Sequence, residues 1–304
     1  MTNGIVASLS ELIALQRLAQ RIRYRAPSQF NAIGAHRSTA RARGIDFTDV
    51  RNYQAGDEIR HMEWRVTART GRPHIKLYEE EHERPVVILV DFNPSMYFGT
   101  RLAFKSLVAA RLASLIAWTA SIQGNRVGGL LFSTNTHHEF TPKSRNAGVL
   151  PLLAALANYT NLPPDLHLAS KPRMLSDALL RLRRVAKPGH LLVLISDFYT
   201  LDEHCEQHLT HFKHHNDLLT YHLCDILELK PPKPGRYPVT NGQQTLCINT
   251  IDAHSRHAYQ EACEARIHTV CNQLKRIQTR PIQVTAQSDL PLLVHQTFPG
   301  RSHG

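Results

Sequence analysis

The chain has 304 residues and a formal net charge of +11, with a pI of about 9.7. This length suffices for one large or two modest domains with a substantial core. No apolar run approaches the ~18 residues that a membrane span needs, and the amphipathic N-terminus lacks the apolar block of a signal peptide. Five cysteines without a C-x-x-C pair argue against a disulfide framework. We therefore expect a cytoplasmic protein whose basic charge favours acidic partners.

The N-terminal part of the chain is predicted to hold one helix and several irregular segments. Apolar residues at helical spacing predict a helix over residues 8–24. Residues 26–45 lack periodicity and are predicted to form a loop. In residues 46–85, Ala-Gly-Asp and Thr-Gly-Arg-Pro clusters separate short segments, of which "HIKLYEEE" alternates as a strand does.

From residue 86 onward, short apolar runs alternate with helical patterns. Strands are predicted at residues 86–90, 126–132, 190–196 and 217–224, and helices at residues 101–123, 145–158, 174–186 and 202–215, with a loop at 133–143. The most apolar of these helices carries Lys105 and Arg111 in its interior. This alternation predicts an α/β fold with a doubly wound, mostly parallel sheet, whose ligands bind at the carboxyl ends of the strands.

The pattern changes after Cys224. A proline-rich segment, "LKPPKPGRY", is followed by two alternating segments around Asn241-Gly242, which predict a β-hairpin. A helix over 253–277 and a final strand and helix within 282–297 complete the chain. We predict three regions, namely an N-terminal region (1–84), the α/β domain (85–224) and a hairpin and helical extension packed on the same core (225–304).

Polar residues follow two of the predicted buried strands. In "VVILVDFNPSMYFGT", Asp91, Asn93 and Ser95 alternate and would project to one side, and Asp197 ends another strand. All four side chains offer oxygen, which a hard cation such as Mg²⁺ prefers. The alternative is that both aspartates only cap the following turns and helices.

This D-x-N-x-S pattern with a second strand-end aspartate resembles the metal-ion-dependent adhesion site of von Willebrand factor A domains. The resemblance implies a bound Mg²⁺ or Mn²⁺ ion whose coordination is completed by a carboxylate of a partner protein. Asn93 stands where that family usually has serine. The family's threonine is missing from "LASKPRMLSDALLRL", where only Ser170 and Ser176 are close and Arg173 is near the expected place. Arg173 could occupy the cation's space, pair with Asp91 and bind a partner carboxylate itself.

The block from residue 34 to residue 96 carries a second, more specific pattern: G-x-H-x-S, then G-x-x-F-x-x-x-R-x-Y-x-x-G-D, then R-x-x-x-W-x-x-x-A-R. The matching residues are Gly34, His36, Ser38, Gly44, Phe47, Arg51, Tyr53, Gly56, Asp57, Arg60, Trp64, Ala68 and Arg69. This block resembles the DUF58 family, from which it departs at Glu63 and in having no transmembrane segments in front. The resemblance implies a partnership with MoxR-type AAA+ ATPases in assembling or activating other protein complexes.

The same block has a physical interpretation of its own. Opposite charges lie close together around Tyr53 and Trp64, which predicts structural ion pairs worth ~0–1 kcal/mol each when exposed. Tryptophan, tyrosine and arginine are also the residues that dominate binding hot spots. The candidate partner-binding residues are Tyr53, Asp57, Arg60, Trp64 and Arg69, together with Arg173.

Other chemistries have weaker support. His204, His208, His211 and His215 share one face of a predicted helix, where a solvated surface is a simpler interpretation than a zinc site. No G-x-S-x-G elbow, P-loop or H-E-x-x-H motif occurs. We expect no enzyme but an interaction or scaffold protein with a degenerate adhesion site that acts with an AAA+ ATPase. The alternatives are a protein that binds nucleic acid or anionic membrane through its basic N-terminal arm, and a metal-dependent hydrolase.

Overall fold

A computed structural model describes residues 4–22, 45–54, 57–80, 84–134, 136–161, 174–240 and 245–298, with backbone alone at 45–49 and 76–80. The described residues form two compact units. One contains the N-terminal helices and everything from Arg84 onward, and the other lies between Thr39 and Glu83. The Asn241-Gly242 turn, the arm from 23 to 44 and Arg173 lie outside the described residues.

The strands of the described residues, numbered in chain order, are β1 (Ile45–Asn52), β2 (His74–Glu80), β3 (Val86–Asp91), β4 (Val127–Phe132), β5 (His137–Lys143), β6 (Leu191–Ser196), β7 (Asp217–Leu223), β8 (Arg236–Thr240), β9 (Thr245–Asn249) and β10 (Ile282–Val284).

The α-helices of the same residues are α1 (Leu9–Ala14), α2 (Gln16–Arg21), α3 (Trp64–Thr70), α4 (Lys105–Ile122), α5 (Asn146–Asn161), α6 (Met174–Val185), α7 (Glu203–His215), α8 (Ile226–Leu229), α9 (Ala253–Arg276) and α10 (Leu290–Thr297).

The larger unit is built on a six-stranded sheet of order β10-β7-β6-β3-β4-β5. Every pairing is parallel except that of β4 with β5. This confirms the predicted α/β fold with a mostly parallel sheet. The predicted loop at 133–143 is wrong, because residues His137–Lys143 form the antiparallel edge strand. Its side chains are largely exposed and polar, so the strand lacks the apolar pattern that would have identified it.

Helices cover both faces of the sheet. The alternation of strand side chains divides β3, so that Val86, Ile88 and Val90 pack toward α4 and α5. Val87 and Leu89 pack on the other face, against apolar side chains of α6, α7 and α9. A strand buried on both faces needs a continuous apolar sequence, which "VVILV" supplies. The polar residues that follow it therefore mark the end of burial at the carboxyl edge.

Helix α4 is buried around nearly its whole circumference. The sheet covers one side, and α1, α2 and α10 lie on the other. The Trp118 indole Nε1 donates to the Leu12 carbonyl at 3.1 Å, and Arg111 pairs with Glu11 at 2.7 Å. A helix that is apolar on all sides needs such complete cover, and the N-terminal helices provide it.

Acid is expected to weaken this unit through His190, which precedes β6. Burial, and then the nearby charges of Lys187, Arg126 and Arg84, lower the pKa of His190 to about 4. The neutral ring accepts a hydrogen bond from the Lys187 amide at Nδ1, 3.2 Å away. Because the unfolded chain protonates this histidine near pH 6.5, its contribution is complete above that pH and is lost as the pH falls toward 4.

After allowance for solvent screening, this effect amounts to about 1–2 kcal/mol at pH 5. His190→Asn retains an acceptor near Nδ1 but does not titrate. Urea unfolding at pH 7.5 and pH 5 should therefore show a smaller loss of stability in the variant than in the wild type. Equal losses in the two proteins would contradict the assignment.

The smaller unit and the hairpin each have their own two-stranded sheet. In the smaller unit, β1 pairs antiparallel with β2, and α3 lies between them in the sequence. Strands β8 and β9 pair antiparallel, as the flanking sequence predicts for a hairpin. The tail belongs to the main core, since β10 pairs with β7 and Val294 of α10 is buried in the apolar cluster around α4.

Candidate functional site

The loop after β3 is organised by the carboxylate of Asp91. Asp91 ends the strand and is 2% exposed. Its Oδ1 accepts the backbone N–H of Asn93 at 2.9 Å, and its Oδ2 accepts the Ser196 hydroxyl at 2.7 Å. Because β3 and β6 are neighbours in the sheet, these bonds join the ends of two strands. Asp91 therefore fastens the two loops that form the carboxyl edge.

The loop after β6 is held by its own side chains. Asp197 Oδ1 accepts the Tyr199 N–H at 3.0 Å, and the Ser196 hydroxyl accepts the Phe198 N–H at 2.8 Å. Phe198 has φ of +52°, an uncommon and strained conformation for a bulky residue. Such strain persists only where the surroundings determine the conformation, and the ring of Phe198 is fully buried. The loop is thus a rigid part of the edge.

A lysine supplies the positive charge of the site. Lys105, the first residue of α4, places its Nζ 3.0 Å from Asp197 Oδ2 and 2.6 Å from Glu228 Oε1. The side chains of Lys105 and Asp197 are both 3% exposed. A buried ammonium between two carboxylates forms strong charge-assisted hydrogen bonds, and removal of one partner leaves an uncompensated charge.

The second carboxylate is positioned by the start of α8. Glu228 Oε2 accepts the N–H of Asp225, and the Asp225 side chain accepts the N–H of Glu228, which together form a capping box. The Asp225 side chain also accepts the N–H of Leu227. Asp225 also accepts the hydroxyl and the N–H of Thr100. The loop between β3 and α4 is therefore tied to α8, and Glu228 is held at the ammonium.

These contacts shift the ionisation of the cluster. Burial, and next the charge of Asp197, raise the pKa of Asp91 to about 7. Burial opposes ionisation of Asp197, but the Lys105 ammonium outweighs it and lowers the pKa of that carboxyl. Burial alone would lower the pKa of Lys105, whereas Asp197 and Glu228 raise it. The Lys105–Asp197 pair is thus ionised in the folded protein.

The oxygens predicted to bind a cation do come together. Asp91, Asn93, Ser95 and Asp197 all lie at this edge, where Ser95 helps to lower the pKa of Asp197. The amide of Asn93 is buried, and neither its oxygen nor its nitrogen has a hydrogen-bond partner among the described residues. An unpartnered buried amide marks a place where a water, an ion or a ligand group is needed.

A divalent cation fits this donor set poorly. Within the described ranges, no group of three or more His, Cys, Asp or Glu side chains is suited to hold a metal ion. Mg²⁺ binds oxygen at ~2.0–2.1 Å, but the Lys105 ammonium already contacts Asp197 Oδ2. A second cation on that carboxylate would lie within a few ångströms of the ammonium and be repelled.

Sequence reasoning missed the lysine at this edge. Arg173, which was considered for the cation's space, lies outside the described residues. Of the two serines closest to the expected threonine, Ser170 also lies outside them, and Ser176 is buried in α6. The available signal was Lys105 itself, a charge in the first turn of the most apolar helix. Glu228 carried no comparable signal, because it follows an unremarkable strand at the start of the proline-rich segment.

An exposed aromatic residue adjoins the buried cluster. Tyr199 is 58% exposed, and the Arg266 guanidinium of α9 lies 4.0 Å from the centre of its ring. Beside them a cleft is lined by Asp197, His222, Glu228 and Arg266, among others. Burial lowers the pKa of His222 to about 4, so its ring is neutral. The edge thus presents a guanidinium stacked on a tyrosine beside a buried ion cluster.

The predicted partner-binding block lies in the smaller unit. Asp57 pairs with Arg51 at 2.7 Å. This bond is the main cause of a lowered pKa of Asp57, and the hydrogen bond from the Gln54 N–H lowers the pKa further. Trp64 is 65% exposed. Of the other members of the block, Tyr53 is half-buried, and Arg60 and Arg69 are exposed. The block therefore combines one internal ion pair with an exposed tryptophan.

The histidine face of α7 shows no metal-site geometry. The His211 and His215 rings are 5.5 Å apart, and Arg183 lies 3.2 Å from His211 Nε2. Burial and then the Arg183 charge lower the pKa of His208 and His211. A guanidinium at the ring nitrogen competes with a metal for the same position.

The fold and the site define a mixed α/β protein with a polar cluster at the carboxyl edge of a mostly parallel sheet. Residues 49–269 match the family described as "Protein of unknown function DUF58", and the chain belongs to this family. None of the helices that the structure describes has the length and hydrophobicity of a bilayer span.

Named relatives add no function. Uncharacterized proteins of Mycobacterium bovis and Mycobacterium tuberculosis are 30% identical over 165 residues, which are 54% of this chain and 50% of theirs. The chain thus spans about half the length of the curated relatives it matches. Among solved structures, the conserved hypothetical protein BatB from Bacteroides thetaiotaomicron has 12% identity and a TM-score of 0.43, over 70% of this chain and 96% of that chain. An aerotolerance-related membrane protein from Bacteroides fragilis has 13% identity and a TM-score of 0.42 over the same shares, 70% and 96%.

Proposed function

We propose that this chain is a non-catalytic, cytoplasmic interaction protein. Its main unit would be a von Willebrand A-like domain that acts with a MoxR-type AAA+ ATPase to assemble or activate a client complex. The ATPase partner is proposed from the family resemblance. The binding site is proposed from the residues at the carboxyl edge of the sheet. The D-x-N-x-S segment follows the central strand β3, and the second aspartate follows its neighbour β6, which is the arrangement that the resemblance implies.

The observation that carries the proposal is the stack of Arg266 on Tyr199 at this edge. A guanidinium held over the face of an aromatic ring can still donate N–H groups to a carboxylate, and little conformational entropy is lost on binding. Arginine and tyrosine are also the residues that dominate hot spots. An acidic side chain of the partner is therefore the group that this edge is suited to bind.

A non-catalytic role agrees with the chemistry of the buried cluster. Both oxygens of Asp91 and both oxygens of Asp197 accept hydrogen bonds from protein donors. Carboxylates so engaged hold loops in place. The cluster would then serve as a rigid base for the exposed residues beside it.

Binding to a MoxR-type ATPase from the same genome tests the proposal. Loss of a hot-spot side chain costs ~2 kcal/mol or more, so Tyr199→Ala and Arg266→Ala should each weaken binding at least about 30-fold in biolayer interferometry. Leu246→Ala is the matched control, because Leu246 is 71% exposed in the β8–β9 hairpin and belongs to no candidate site.

A further variant, Trp64→Ala, distinguishes the competing surfaces. If Trp64→Ala abolishes binding while Tyr199→Ala and Arg266→Ala bind as the wild type does, the signature block and not the strand edge is the partner surface. If no ATPase binds at any concentration tested, the proposed partnership is wrong.

The second candidate is binding to nucleic acid or anionic membrane. It is favoured by the net charge of +11 and by the arginines of the N-terminal arm. Its signature would be an affinity that falls steeply with salt and is unchanged by EDTA.

A further inference from the structure

We propose that the Lys105 ammonium is the permanent cation of the strand-end site, which therefore holds its structure without a divalent metal. A site of this composition would otherwise need a metal to neutralise its carboxylates. The inference concerns the site itself and holds whether or not the partner is an AAA+ ATPase.

The position of the ammonium carries the inference. Lys105 Nζ bridges Asp197 Oδ2, at 3.0 Å, and Glu228 Oε1, at 2.6 Å. It thereby joins a residue after β6 to a residue of α8. Ser95 of the loop after β3 is close enough to Asp197 to help lower its pKa. A metal in an oxygen-lined site does the same work, since it draws separate loops together through shared ligands.

The lysine cannot easily leave this position. The backbone N–H of Lys105 donates to the Phe98 carbonyl at 2.9 Å, and helix α4, which begins at Lys105, is buried along nearly its whole length. Apolar side chains, among them Val108, Leu223 and Val284, line the space next to it, together with Asp225 and Thr285. Asp225 already accepts hydrogen bonds from Thr100 and Leu227, so an ammonium withdrawn from Asp197 and Glu228 would give up both of its own partners, which is costly.

The groups left for a metal are weak ligands. Both oxygens of Asp91 accept protein hydrogen bonds. The neutral amide of Asn93 is the remaining donor without a partner among the residues that the structure describes. If a lysine took the place of the metal in such a site, an amide that had bound the metal would be left without a partner.

Thermal unfolding of the EDTA-treated full chain tests the inference directly. Addition of MgCl₂ or MnCl₂ up to 10 mM, at constant ionic strength, should move the wild-type Tm by less than about 1 °C, as expected for a protein without a site. Lys105→Ala empties the cation position. Its Tm should fall by roughly 10 °C, and the metals should restore several degrees in a saturable manner.

Three results would overturn the inference. The first is saturable binding of Mg²⁺ or Mn²⁺ to the wild type that Asp91→Ala removes, measured by calorimetry. The second is a Lys105→Ala variant that folds but gains no metal response. The third is the same metal response in Lys275→Ala, which removes an exposed lysine of α9. If Lys105→Ala does not fold, the wild-type titration and the milder Lys105→Gln variant decide the question.

Discussion

Replacement of Lys105 by methionine is expected to lower the free energy of unfolding by about 3–5 kcal/mol, the range found when one partner of a buried ion pair is removed. Methionine preserves most of the side-chain volume, so the loss reports the charge and not a cavity. Asp197, which is 3% exposed, would be left without the ammonium that now balances its charge. Urea unfolding at pH 7.5 measures the effect.

A double-mutant cycle separates this effect from general damage to the helix. Adding Asp197→Asn to Lys105→Met removes the uncompensated charge, and we expect the double variant to recover at least about 1 kcal/mol relative to Lys105→Met. Lys275→Met, an exposed substitution of the same type, should change stability by less than about 0.5 kcal/mol. A Lys105→Met variant as stable as Lys275→Met would show that the buried pair does not form.

Gly148→Ala should destabilise the protein by about 3 kcal/mol, although alanine is normally the better helix former by ~1 kcal/mol. Gly148 lies in the first turn of α5, where the helix meets the ends of β4 and β5. A Cβ at this position would lie 2.6 Å from the Val127 carbonyl oxygen and closer still to that of Lys143. Both atoms belong to strand backbone and cannot move aside without disturbing the sheet.

The control for this substitution is Gly235→Ala. There the atoms nearest to a Cβ would belong to the side chain of Tyr237, at 3.1 Å, and a side chain can adjust. We expect a change within about 1 kcal/mol, measured in the same urea unfolding experiment. Equal effects of the two substitutions would contradict the close approach of α5 to the sheet.

The site could be predicted in part because its first residues belong to local patterns. Asp91, Asn93 and Ser95 follow an apolar run at alternate positions, and Asp197 follows another. Parallel strands end at one edge, so four polar side chains could be assigned to one place before any coordinates were known. Lys105 could not be assigned there, because it precedes its partner Asp197 by 92 residues in the sequence. It also belongs to α4, which begins after the loop that follows β3.

The exposed part of the site was also beyond sequence reasoning. Tyr199 and Arg266 belong to a loop and to a helix of the C-terminal extension, and nothing in their spacing relates them. The edge strand β5 was missed for a related reason. Its exposed polar residues carry no periodic signal, and its place in the sheet depends on pairing with β4.

The sequence by itself determined the buried strands, most of the helices and the acids at the strand ends. The reason is that the order of apolar and polar residues within a short segment indicates both its burial and its periodicity. The family followed from a pattern of thirteen residues in the N-terminal block. Only the tertiary structure decided which cation faces those acids. Packing of α4 brings Lys105 to Asp197 and Glu228, and an ion pair depends on proximity in space, which contacts between distant segments of the chain establish.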